Sequence, residues 1–125
     1  MNKVYVVYQF YNNGESYEDN YTETKVLKVF DSKVKALTFI EYYCPESYMT
    51  EQEANASAKE KWEEIKKYPS AEDYYENYRG YMHETYRYIK SVEHKRDGSK
   101  TLLCHCGPYC TEPTFRIYFE EWEVE

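Results

Sequence analysis

Seventeen tyrosines among 125 residues constrain the fold of this chain more than any other feature. With a mean hydropathy of -0.96, a core has to be built largely from amphipathic rings, whose bodies bury while their hydroxyls seek water or a partner. Aromatic residues make up 19% of the chain, which argues against disorder, a state that goes with few aromatics. Tyrosines left on the surface are good contact residues, offering large area at low entropic cost. The length suits one domain spanning residues 1–125, and no stretch reads as a linker.

Charge narrows the range of partners. Sixteen basic side chains against 23 acidic ones leave a net charge of -7. Such a surface repels phosphate backbones and disfavours direct binding to nucleic acid, while favouring a partner with a basic surface. No apolar run is long enough for a membrane span, and Met1-Asn2-Lys3 leads straight into a strand pattern without a signal segment. The expected location is the cytoplasm, where cysteines stay reduced and clusters of them mark metal more often than disulfides.

The pattern along the chain predicts an α+β fold, an antiparallel sheet with two or three helices packed on it and a zinc-stabilised loop. Val4 to Tyr11 alternates as a strand with two apolar faces, which predicts a central strand covered on both sides. Asn12-Asn13-Gly14 supplies a turn, and Thr24 to Phe30 supplies the second strand of a hairpin. Asp31-Ser32 caps a helix with a stripe of Val34, Leu37, Ile40 and Cys44, which Pro45 ends. Thr50-Glu51-Gln52-Glu53 is a capping box, with Met49 and Ala54 as a hydrophobic staple, opening a helix that runs to about Lys67. Ser70 caps a short third helix that stops at Gly80. A strand from about Glu84 then places Tyr86, Tyr88, Lys90 and Val92 on one face, and Asp97-Gly98 turns it into Thr101–Cys104. Phe115 to Val124 closes the fold, with a bulge expected near Glu120-Glu121 where the apolar face shifts to Trp122 and Val124.

Three of the four cysteines fall in Cys104-His105-Cys106-Gly107-Pro108-Tyr109-Cys110. A Cys-x-Cys pair on an extended segment turns both sulfurs to one face, and a Gly-Pro turn lets Cys110 swing back toward them. Structural zinc takes four thiolate or imidazole ligands in a tetrahedron, so the fourth must come from elsewhere. Cys44 is the leading candidate, with His83, His94 and His105 as alternatives. His105 should point away from its neighbouring sulfurs, and His94, placed opposite Thr101, is too far along the strand. The competing reading is that these cysteines are small buried hydrophobes. A thioredoxin-like reading of Cys106-Gly107-Pro108-Tyr109-Cys110 fails, because no helix follows to lower the thiol pKa.

Catalysis is not expected. Serines and histidines show no nucleophile signature, four glycines leave little room for a phosphate loop, and the adjacent acidic pairs diverge. Two acidic patches are better candidates for partner binding: Glu15, Glu18, Asp19 and Glu23 around the first loop, and Glu72, Asp73 and Glu76 interleaved with Tyr74, Tyr75 and Tyr78. Carboxylates can pair with a basic surface while tyrosines anchor it.

The N-terminal unit, Lys3-Val4-Tyr5-Val6-Val7-Tyr8 through Val29-Phe30-Asp31-Ser32-Lys33-Val34-Lys35-Ala36-Leu37, resembles small accessory proteins of Gram-positive phages and mobile elements. The closing Ile117-Tyr118-Phe119-Glu120-Glu121-Trp122-Glu123-Val124 is similar to their ends. In size, charge and tyrosine content the chain resembles the acidic anti-CRISPR proteins that inhibit Cas9. Those proteins share no motif, so no functional residue carries over. The resemblance implies occupation of a Cas9 surface that blocks guide or target-DNA loading, or cleavage. The alternative is a zinc-stabilised regulatory domain that binds a protein unrelated to CRISPR.

Overall fold

The computed structural model describes residues 2–67, 85–107 and 112–124. Its elements are β1 (Asn2–Asn12), β2 (Thr22–Phe30), α1 (Lys33–Tyr42), β3 (Met49–Thr50), α2 (Glu51–Ile65), β4 (Tyr88–His94), β5 (Lys100–His105) and β6 (Thr114–Val124). The strands form one sheet in the order β2-β1-β6-β5-β4-β3, antiparallel throughout except for the short β3–β4 pair. The α+β class, the first hairpin and both described helices follow the sequence pattern; the third expected helix lies outside the described residues. No helix among the described residues is long and apolar enough to cross a membrane.

Two interior strands of the sheet join the first and last described segments. β1 and β6 pair without interruption from Asn2↔Val124 to Asn12↔Thr114. The expected bulge at Glu120-Glu121 is therefore absent. Trp122 and Val124 simply stand on the sheet face opposite Phe115, Ile117 and Phe119, as strand alternation requires. Register shifts occur instead between Val7 and Tyr8 against β2, and between Ile89 and Ser91 against β5. The second shift breaks the expected alternation of Tyr88, Lys90 and Val92.

α1 begins at an N-cap Ser32 whose hydroxyl accepts from the Lys35 amide. It packs on one sheet face through Ala36 and Ile40, over Val7, Leu102, Cys104, Phe115 and Ile117. The buried stripe is rotated from the expected one: Val34 is 72% exposed, and Cys44 lies beyond the last helical residue. Tyr5, Tyr11, Phe30, Phe39, Tyr43 and Tyr48 fringe this core, so rings do supply much of its mass. The Tyr43 hydroxyl donates to Gln9 Oε1 at 2.7 Å, meeting the need of a buried phenol for a partner.

α2 is capped by Thr50, whose hydroxyl accepts from the Glu53 amide at 3.1 Å and donates to its carboxylate at 3.0 Å. The staple residues Met49 and Ala54 meet in a second cluster with Ala58, Tyr86 and Tyr88. Tyr88 and its partner His105 alternate with Ile89 and Cys104, so α2 lies across the sheet from α1, at its β3–β4 end. Neither helix packs on Val4, Val6, Tyr8 and Phe10, the second face of β1. The covering expected for that face is not supplied by either described helix. These side chains are half-buried against their neighbours, with Tyr8 stacked on Tyr118 at 5.3 Å.

One buried charge ties α1 to the sheet. Lys100 is 4% exposed, and its ammonium donates to the carbonyls of Glu41 at 3.1 Å and Tyr43 at 2.6 Å. It thereby caps the C-terminus of α1, where carbonyls lack helical partners and positive charge is favoured. Burial lowers its pKa against the opposing pull of Cys44 and Glu41. Exposed pairs such as Lys35–Asp31 contribute little by comparison. Lys100→Met keeps the apolar stem but leaves two carbonyls uncapped. The expected cost is about 1–3 kcal/mol, read as a lower urea midpoint; an unchanged midpoint would show that the cap is dispensable.

Candidate binding surface and cysteine cluster

The first acidic patch sits on an ordered loop between β1 and β2. Asn13 organises it: its Oδ1 accepts from the amides of Glu15 at 3.1 Å and Tyr21 at 3.0 Å, and its Nδ2 donates to Asp19 O at 2.9 Å. Asn12 Oδ1 accepts from the Gly14 amide at 2.8 Å and from Asn20 Nδ2 at 3.1 Å. Gly14 takes a φ of 72°, the left-handed region that favours glycine in a tight turn. Asparagines are suited to this work because their side chains mimic a backbone turn.

This scaffold projects Tyr17, which is 98% exposed. Glu18 and Asp19 beside it are exposed, whereas Glu15 is half-buried. Tyr21 is exposed too, with its hydroxyl donating to Glu23 Oε2 at 2.9 Å. Sequence reading selected the carboxylates and passed over Tyr17, although a tyrosine between acidic loop residues was itself a signal. The second patch, Glu72, Asp73, Tyr74, Tyr75, Glu76 and Tyr78, lies outside the described residues.

Three of the cysteines fall on the α1 side of the sheet. Cys104 is buried in the core, Cys106 follows two residues later just beyond β5, and Cys44 leaves the end of α1. Burial pushes the Cys104 thiol up to about 12, with Cys44 and Cys106 close enough to add to the rise. The Cys44 thiol is also raised by burial, partly offset by Lys100, and it donates to the carbonyls of Tyr48 at 3.5 Å and Pro45 at 3.7 Å. The arrangement therefore favours neutral thiols in the absence of a cation.

The loop after β5 is drawn closed at its base. The Cys104 amide donates to Pro113 O at 2.8 Å, Lys90 pairs with Glu112, and Gly107 turns the chain with a φ of 135°. Cys110, within this loop, and His83 lie outside the described residues. His105 packs against Tyr88 in a tilted arrangement with ring centroids 4.9 Å apart, on the face away from Cys104, as expected. His94 stands opposite Lys100 rather than Thr101, still remote from Cys104. Among the described residues no group of three or more Cys, His, Asp or Glu side chains is arranged to hold a metal. Zinc would need Cys110 and a turn of the Cys44 thiol away from its carbonyls.

Asn13→Ala should remove the loop's central bonds at a cost of about 1–3 kcal/mol. Hydrogen exchange should accelerate at the amides of Glu15 and Tyr21 while those of β1 stay protected; unchanged protection would mean that backbone pairing alone holds the loop.

No protein-family model matches this chain, and neither a curated protein nor a solved structure does.

Proposed function

We propose that this protein is a non-enzymatic inhibitor that docks on a basic surface of a nucleic-acid enzyme, with Cas9 as the candidate its anti-CRISPR resemblance names. The observation that carries this reading is Tyr17, held almost fully exposed between carboxylates on a loop that asparagines hold in shape. Exposing a large ring costs solvation with no return in the free protein, while in an interface a tyrosine is a preferred anchor. Glu18 and Asp19 would steer the loop to arginines and lysines, and an ordered loop loses little further entropy on docking. The net charge of -7 extends that attraction over the whole molecule. Binding in a positively charged channel would block guide or target-DNA loading, or cleavage, in the cytoplasm of a phage-infected host.

A structural zinc held by Cys104, Cys106, Cys110 and Cys44 belongs to the same proposal. It would tie the β5–β6 loop to the end of α1 and convert neutral thiols to thiolates, releasing protons on binding. Purified protein should then carry one zinc per chain, and Cys106→Ala should lose the metal and melt at lower temperature. Unchanged metal content and melting in that variant would remove this ligand set.

A second reading rests on the sheet face that neither described helix covers. Trp122 is 52% exposed there, among Val4, Val6, Tyr8 and Phe10, and such a surface suits a zinc-stabilised regulatory domain that binds a neutral protein partner unrelated to CRISPR. Salt separates the two, because charge-steered docking weakens with ionic strength and apolar docking does not.

The test is DNA cleavage by Cas9 and guide RNA with increasing amounts of this protein. Protection is expected near stoichiometry, and order of addition identifies the blocked step. Tyr17→Ala combined with Glu18→Lys should weaken protection by about tenfold or more without lowering the melting temperature. No protection with a large excess added before the guide removes that Cas9 as the target.

A further inference from the structure

Beneath the acidic loop, where β1 and β2 approach the turn from α1 to β3, lies an open cavity of about 310 Å³. Its volume matches the smaller ligand pockets of proteins, roughly 300–1,000 Å³. Its apolar wall is a cluster of rings: Phe115 lies 4.9 Å from Tyr11 and 5.3 Å from Tyr48, the latter edge-on. Pro45 extends this wall.

The polar lining is of two signs. Lys25 and Arg87 contribute cations, and Glu23 and Glu46 contribute carboxylates. None of the four is in a salt bridge among the described residues. Gln9 stands between them and is only 7% exposed. Its Oε1 is taken by the Tyr43 hydroxyl, while its Nε2 has no protein partner among the described residues. Since no buried side-chain nitrogen or oxygen among the described residues lacks a partner, this amide nitrogen is accessible to solvent, on a residue that lines the cavity.

The wall opposite β1 is preformed. Tyr48 N donates to Pro45 O at 3.2 Å, and Ser47 is held at a φ of 70°. A non-glycine residue in the left-handed region costs free energy and persists only where its surroundings enforce it. The phenol of Tyr48 is raised far above its ordinary value by burial, so this ring stays neutral.

We propose that this cavity binds a free α-amino acid with an aromatic side chain. The ligand ring would pack on Tyr11, Tyr48 and Phe115, with the offset or edge-on geometry such rings prefer. Its carboxylate would take Arg87 or Lys25 together with the Gln9 amide, and its ammonium would take Glu46 or Glu23. A purely anionic ligand would face two carboxylates, and a purely cationic one would face Lys25 and Arg87. A zwitterion satisfies both signs at once. This inference stands apart from the Cas9 reading and survives its failure.

The experiment is a titration of ¹⁵N-labelled protein followed by amide chemical shifts. The probes are L-phenylalanine, hydrocinnamate (no ammonium), phenethylamine (no carboxylate) and L-alanine (no ring). L-phenylalanine should produce saturable shifts at Gln9, Ser47 and Tyr48, including the Gln9 side-chain amide. Each of the other three should bind about tenfold or more weakly. Arg87→Gln and Glu46→Gln, both exposed side chains outside the core, should each weaken L-phenylalanine about fivefold or more at unchanged melting temperature. No shift with L-phenylalanine up to its solubility limit would overturn the proposal. So would equal binding of either singly charged analogue, or unchanged affinity in both variants.

Discussion

The structure depends on the antiparallel ladder between the first strand and the last. β1 and β6 are neighbouring interior strands of the sheet and pair over their whole length, so the other elements are placed by reference to them. β2 adds on one side through a local hairpin, and β5, β4 and β3 add on the other. The pairing joins residues more than a hundred positions apart in sequence. Its loop-closure entropy must be met before those contacts form, which makes folding intrinsically slow for a chain of this size. What offsets that cost is burial: Val7 on β1 and Ile117 on β6 are fully enclosed together with Phe115, each such side chain contributing about 1.5–3 kcal/mol.

Once the ladder is set, the two faces of the sheet have different fates. α1 follows directly from β2, packs over β1 and β6, and is fastened at its C-terminus by Lys100 from β5. That single ammonium links a helix carried by the first hairpin to a strand from the second. It also sets the course of the chain toward Cys44, Pro45 and Tyr48, and so shapes both the cysteine region and the ring-lined cavity. α2 goes to the other face at the far end of the sheet, where two alanines let it approach Tyr88 closely. Neither described helix covers the middle of that face, around Tyr8, Tyr118 and Trp122.

The candidate functional regions lie at one end of the strands, where Asn12 pairs with Thr114 and Thr114 with Leu103. The acidic loop projects from the β1–β2 end, shaped by short-range asparagine bonds. The thiols gather where the end of α1 meets β5, and the Cys104–Pro113 bond closes the loop that carries Cys106. The acidic loop is an irregular segment held by regular ones, whereas Cys104 belongs to β5 and only Cys44 and Cys106 lie just beyond regular elements.

Local rules made much of this legible in the sequence. Ser32 and Thr50 cap their helices, Met49 and Ala54 form the staple, Asp97-Gly98 makes the turn, and alternation marks the strands, because each depends on residues a few positions apart. The carboxylates of the first loop were legible for the same reason. Register and coverage were not. The misplaced bulge at Glu120-Glu121 came from assuming one buried face along β6, when only the position of α1 decides which face is buried where. The burial of Lys100 could not be read from its neighbours, since its partners are carbonyls at the end of a helix far away in sequence. The cavity between Tyr11, Tyr48 and Phe115 arises from three separate elements. By itself the sequence determined what the short-range chemistry of caps, turns and periodicity dictates; the tertiary structure alone decided which distant surfaces meet, because that choice is made by packing the whole chain at once.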